Sequence, residues 1–283
     1  IGAKAYAEAV SVYLAFAVDR CADFGNTCTR WVASNQKVMN LFGKQAIAMT
    51  WDYPEAALLE DVVGGFVPSA DFISKCITKL PQMGSGHSLQ QDAATTDVSR
   101  NKVISTDPPY YDNIGYAELS DFFYVWMEKT LRDVYPEVFT TIAVPKAAEL
   151  VATPYRHGGR ESAELFFLRG MTQAMRNLAT NAHPAFPLTI YYAFKQSESN
   201  EANGTTNTGW DTFLAAVIEA GLCITGTWPM RSEQEHRMVG MGANALASSI
   251  VLVCQKRTIS TPVATKAQFL AALRAELPLA LGK

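Results

Sequence analysis

The chain has 283 residues, of which 48% are hydrophobic and 18% charged, the make-up of a globular protein with a sizeable core. Its 24 basic and 27 acidic residues give a formal charge of -3, which excludes a global basic footprint for nucleic acid but not a local basic groove. No apolar run reaches membrane-spanning length and no charged-then-apolar leader opens the chain, so no membrane partner is expected. The first residue is Ile1, and helical rhythm starts almost at once, so the chain reads as a piece of a longer polypeptide, the remainder of which is one expected partner.

Residues 3–24 place Tyr6, Val10, Tyr13, Leu14, Ala17 and Val18 in a helical stripe. A short helix is expected around 34–42, followed by an aromatic-rich loop, and a helix over 69–80 capped by Ser69 or Asp71. "GSGHSLQQDAATT" (84–96) reads as a glycine turn and a short strand with Asp92 at its end, and "NKVISTDPPYY" as the next strand and its exit. An amphipathic helix spans 117–135, a polar loop 153–162, a helix "ESAELFFLRGMTQAMRNLAT", and a buried strand 187–194. A polar loop (197–209), a helix ended by Gly221, two strands ("CITGTWPM" and "ASSIVLVCQKR") and a closing helix from Thr265 to Leu281 complete the chain. This alternation argues for an α/β layer with a mostly parallel sheet. The last two strands have no helix between them, so the final strand is expected antiparallel beside its predecessor. The whole chain is read as one domain: a lead-in (1–70), an α/β core (71–257) and the closing helix (258–283).

Five cysteines, at 21, 28, 76, 223 and 254, form no CxxC pair, and four histidines lie far apart. No metal site is expected, and free buried thiols in a reducing cytosol, hence a cytoplasmic location, are the preferred reading.

The stretch that asks for chemistry is Asp107-Pro108-Pro109-Tyr110, directly after a strand. Prolines end strands, and in α/β sheets ligands sit at the carboxyl ends of strands. A carboxylate followed by a proline-fixed carbonyl offers two acceptors at a set distance, which suits an exocyclic NH₂ group. Tyr110 adds a flat face for stacking the ring that carries the amine. Hydrogen bonds to both N–H groups localise the nitrogen lone pair and stabilise the positive charge that develops as nitrogen attacks an electrophile, for which a sulfonium methyl is the natural candidate. Positioning then supplies most of the rate. The plainer reading of the tetrapeptide is an ordinary proline turn.

Asp107-Pro108-Pro109-Tyr110 resembles the catalytic motif of S-adenosylmethionine-dependent amino-methyltransferases. Together with "TDPPYYDNIGYAELSDFFYVW", "PYRHGG", "IYYAFKQSE", "TWPMRSE" and "NALASSIVLV", in that order over roughly 28–257, it is similar to large adenine-specific DNA methylases that carry a zinc ribbon elsewhere. The resemblance implies a Rossmann-like methyltransferase fold with a mostly parallel sheet and a final antiparallel strand. It also implies S-adenosyl-L-methionine as cofactor, DNA as partner and methyl transfer to adenine N6. Asp in the first motif position leans towards adenine over cytosine by the same analogy. It implies too that an acid at the position of Asp92 contacts the cofactor's adenine amine; a turn or helix-cap aspartate is the alternative. One departure is clear: no glycine-rich strand-loop of the type Asp-Pro-Phe-x-Gly-x-Gly is present, and "VVGGF" (62–66) lacks the acid and the spacing. That block is expected upstream of residue 1, so the fold reads as truncated on its N-terminal side and the fragment as a weak cofactor binder that exposes an apolar sheet edge or face.

Three further groups are candidates. Arg156, His157 and Arg160, set among glycines in "PYRHGGR", suit phosphate contact, a solvated loop being the alternative; His157 as a general base is unnecessary for this chemistry. Tyr111 is the member of the aromatic cluster Tyr111, Tyr116, Phe122, Phe123, Tyr124 and Trp126 best placed to touch a base. The loop 231–244, with Arg231, His236 and Arg237, is either a DNA-side loop or an exposed hairpin. The competing functions are a non-catalytic module that binds nucleic acid or a partner domain, an amino-methyltransferase on RNA or protein, and, weakest, a dinucleotide oxidoreductase, for which no GxGxxG follows a first strand.

Overall fold

The computed structural model describes residues 2–43, 46–80, 84, 86–111, 114–195, 208–230, 246–258, 261 and 264–281. The protein is mixed α/β and falls into two compact units, 1–92 with 109–167, and 93–108 with 168–283. The chain thus crosses three times between units.

The first unit holds helix α1 (Ala3–Phe24), a hairpin of β1 (Arg30–Val32) and β2 (Lys37–Met39), helices α2 (Phe66–Lys79), α3 (Tyr116–Leu131) and α4 (Pro154–His157), and the start of α5 (Arg160–Asn181). The helix expected around 34–42 is therefore a hairpin with one 3₁₀ turn, Ala33–Asn35. Gln36 at φ 46° reverses the chain, and β-branched and aromatic residues on either side favour the ladder, in which Arg30 faces Met39. Helix α1 forms as its stripe predicts, but of the stripe Tyr6, Val10, Tyr13 and Leu14 are exposed, and the buried apolar residues of the helix are Ala15, Ala17 and Phe24. Small alanines allow close approach, and Ala15 packs on Tyr124, Leu131 and Phe139.

Helix α2 begins at Phe66, and neither Ser69 nor Asp71 caps it. The Ser69 hydroxyl instead donates back to the Gly65 carbonyl at 2.7 Å. The tight turn before it sets this start: Phe66 N–H donates to Leu58 O and Gly65 N–H to Val62 O, each at 2.8 Å. Gly64 has φ 81°, and a Cβ there would lie 2.3 Å from Phe24, so only glycine fits. "VVGGF" is a turn that runs into the first residue of α2.

The second unit holds β3 (Ser105–Thr106), most of α5, β4 (Leu188–Lys195), α6 (Thr208–Glu219), β5 (Leu222–Met230), β6 (Leu246–Lys256) and α7 (Lys266–Leu281). Its sheet runs β3-β4-β6-β5. β3 pairs parallel with β4, while β6 is antiparallel to both β4 and β5. Three strands thus point one way and the last is reversed, as expected. However, β6 lodges between β4 and β5, so β3–β4 is the one hydrogen-bonded parallel pair among the described residues. The core gathers Ile190, Tyr192, Phe213, Val217, Leu222, Leu252 and Cys254, all buried, with Tyr192 stacked on Phe213 at 4.0 Å. Gly221, at φ 84°, ends α6 as its sequence suggests.

Two smaller expectations change. The described residues around 87–91 form no strand, because no neighbouring ladder receives them, so Asp92 does not stand at a strand end. Of the five cysteines, all free, Cys254 is buried and Cys76 exposed. The polar loop 231–244 and most of 197–209 lie outside the described residues.

Candidate active site

β3 is two residues long, yet it sets the motif's position. Thr189 N–H donates to Ile104 O at 3.1 Å, and the Thr189 hydroxyl donates to Ser105 Oγ at 3.1 Å. Ile104 is buried, so the strand cannot slide without moving an apolar side chain into water. Parallel pairing of Thr106 with Ile190 then puts Asp107 just past the carboxyl end of β3. The Asp107 side chain is exposed, Pro108 is buried, and Pro109 and Tyr110 are half-buried. Asp107 and Pro108 belong to the second unit, Pro109 and Tyr110 to the first.

Beyond the motif, Tyr111 has φ 29°, a left-handed conformation rare for tyrosine and worth about 1–3 kcal/mol of strain. It is held at both its backbone and its ring. Its carbonyl accepts the Ala152 N–H at 2.8 Å, and its ring stands edge-on to buried Phe167 at 5.2 Å. The ring is thus half-buried, with an edge-on contact to Phe167. The same hydrogen bond ties the motif's exit to the segment leading into α4, which carries Arg156 and His157.

That segment is not the expected polar loop. Pro154, at a first helical position where its missing N–H costs nothing, starts α4, and Gly158 and Gly159, at φ 72° and 138°, turn the chain into α5 at Arg160. Arg156 does not face outward for a phosphate. Its Nε donates to Glu118 at 3.1 Å and its Nη1 to Glu149 at 2.8 Å, and its side chain is 12% exposed. Burial works against the Arg156 charge, but its hydrogen bonds to the Glu118 and Glu149 carboxylates outweigh it and its pKa is raised. Burial likewise opposes the Glu118 charge, and the Arg156 bond overcomes it, holding that carboxyl below its usual range. Glu149 also accepts the Ala117 N–H at 3.0 Å, so one guanidinium joins the start of α3 to α4. A second link repeats the pattern, with Lys146 2.7 Å from Asp121, which accepts the Val144 N–H at 2.9 Å.

His157 stacks on Phe166 at 4.1 Å, and its buried Nε2 has no hydrogen-bond partner among the described residues. Arg160 is exposed at the start of α5. Asp92 is exposed in irregular chain, and with the strand end gone the positional argument for cofactor contact goes too. Glu118 and Glu149, which fix Arg156, were not singled out from sequence, since each lies on a different segment and no spacing links 118, 149 and 156.

A methionine cradle for S-adenosylmethionine needs glycines whose backbone N–H groups face a ligand. Gly64 and Gly65 do not fit this: Phe24 fills the space beside Gly64, and the Gly65 N–H is spent on Val62. Among the described residues no group of three His, Cys, Asp or Glu side chains is placed to hold a metal ion, and no helix is long and apolar enough to cross a membrane.

The fold and the site define a mixed α/β protein with an acid-proline-proline-tyrosine turn at a strand's carboxyl end. No protein-family model matches the chain, and no curated protein matches it.

Proposed function

We propose that this chain is the amine-recognising part of a Rossmann-like, S-adenosylmethionine-dependent methyltransferase acting on adenine N6 in DNA. The single observation that carries the reading is Asp107 past the carboxyl end of β3, followed by two prolines and a half-buried tyrosine. A reversed last strand among strands that otherwise point one way also suits the fold that the resemblance implies.

In this reading Asp107 and the Pro108 carbonyl accept the two N–H bonds of the amine, and the Tyr110 ring stacks on the base. Hydrogen bonds that strengthen as positive charge grows on nitrogen lower the barrier rather than merely tightening binding. Arg160, exposed at the start of α5, is the proposed phosphate contact, and Arg156 holds α4 to the start of α3. Bound S-adenosylmethionine would supply the methyl group. No residue of this chain is assigned to its methionine end, because the described glycines do not fit it.

That misfit favours one second reading, a methyltransferase-like module that binds DNA without transferring methyl. The experiment that separates the two is incorporation of labelled methyl groups from S-adenosylmethionine into unmethylated DNA by the full-length polypeptide, with the products resolved as nucleosides. The expected result is N6-methyladenine, reduced about 10²–10³-fold by Asp107→Ala with unchanged circular dichroism. An undiminished rate in folded Asp107→Ala, or methyl on another base, overturns the proposal. No incorporation by wild-type protein that still shifts DNA in a gel establishes the second reading.

A further inference from the structure

The second unit has a cleft at the end of its sheet opposite Asp107. It lies where β4 and β5 begin and β6 ends, beside the last turn of α5, and its volume is about 560 Å³. That is within the range of small-molecule sites, roughly 300–1,000 Å³. Its floor is apolar, with Leu188 and Cys254 almost wholly buried. Its rim carries Arg100, Lys256, His183 and the ring of Phe186, and among the described residues no carboxylate lines it.

Each rim group offers a specific contact. Phe186 is 54% exposed, an open aromatic face tilted against His183 at 5.0 Å. His183 Nδ1 accepts the Ala185 N–H at 3.1 Å. That bond places the neutral ring's proton on Nε2, which makes Nε2–H a donor. Asp97 lies 3.2 Å from Arg100, but both side chains are about 70% exposed. A pair so solvated is weak and leaves donors of the guanidinium fork available.

From this arrangement we infer a ligand site for a small organic anion with an aromatic ring, its acidic group held by Arg100 and Lys256 and its ring against Phe186. Cations set at the mouth of an apolar floor orient such a molecule, because each end finds only one favourable environment. The site is separate from the proposed methyl transfer and does not rest on it.

Inosine monophosphate tests the inference. It has an aromatic ring and a phosphate but lacks the exocyclic amine that Asp107 would recognise, so the candidate active site has no claim on it. Calorimetry with the full chain is expected to show saturable binding that weakens with salt, with inosine and inorganic phosphate each at least about tenfold weaker. Arg100→Gln with Lys256→Gln, both at exposed positions, should weaken the nucleotide about tenfold and leave inosine unchanged, and Phe186→Leu should weaken both. Absence of binding at about 10 mM nucleotide, or equal affinity in the double variant, overturns the site. Phosphate alone binding as tightly as the nucleotide overturns the aromatic half of the assignment.

Discussion

Helix α1 and strand β4 are about equally apolar and both carry tyrosines, yet they fare differently. In β4, hydrogen-bonded to β3 on one side and β6 on the other, Leu188, Ile190 and Tyr192 are almost fully buried. In α1, Tyr6 is 67% exposed, and the residues that seat the helix are two alanines and Phe24. A central strand gains neighbours by its ladder, and its alternating side chains then meet whatever layer covers the sheet. A helix satisfies its own backbone, so nothing obliges its apolar stripe to find a partner. Apolar periodicity therefore predicts an element's type better than it predicts what that element buries.

The largest test of this contrast is Phe213→Ala. Phe213 is fully buried and stacked on Tyr192, so its loss should cost about 3–5 kcal/mol in urea unfolding. A cost under about 1 kcal/mol would mean that the sheet's core is looser than its burial implies.

Glu149→Ala comes next. It takes away one of the two carboxylates that hold Arg156 and strips the Ala117 N–H at the start of α3 of its acceptor. The expected loss is about 2–4 kcal/mol, since the pair is nearly buried and a charge is left with half its compensation. If Arg156→Ala and Glu149→Ala were each neutral, the clamp would be a surface pair with no structural role.

Asp19 on α1 gives a smaller effect of opposite sign. Its Oδ1 is buried without a hydrogen-bond partner, and burial pushes its pKa from 3.8 up to about 6. Between those values the folded state holds more protons than the unfolded chain. Its contribution is therefore whole below pH 3.8 and is lost as pH rises through 6. Asp19→Asn should stabilise the protein at pH 7 by about 1 kcal/mol, reduced from the full-burial value because the carboxyl is half solvated, and should change little at pH 4. Equal stability differences at both pH values would remove Asp19 as the cause.

The smallest expected effect lies on the α1 stripe itself. Tyr13→Ser replaces an exposed aromatic and should shift stability by less than about 0.5 kcal/mol. A loss of several kcal/mol would show that the stripe is covered in solution, and the contrast with β4 would narrow.

What could be read from the residues alone was local. Helix α1, the long helix after the 154–160 segment, the strand from Leu188, the helix stop at Gly221 and the two closing strands follow from periodicity, glycine conformation and turn chemistry acting over a few residues. The Asp107-Pro108-Pro109-Tyr110 turn was legible for the same reason, because proline ends a strand wherever that strand lies. Tertiary structure decided the rest. The lodging of β6 between β4 and β5 depends on which edges are open, and no short stretch of sequence encodes that. The fate of 34–42 as a hairpin depends on Gln36 entering the left-handed region and on Leu41 reaching back to Asp23. Arg156 reads as a phosphate ligand from its glycine-rich surroundings, and becomes a clamp because folding brings Glu118 and Glu149 to it from 38 and 7 residues away. A charged side chain's role is set by the charges it meets, and those come from distant parts of the chain.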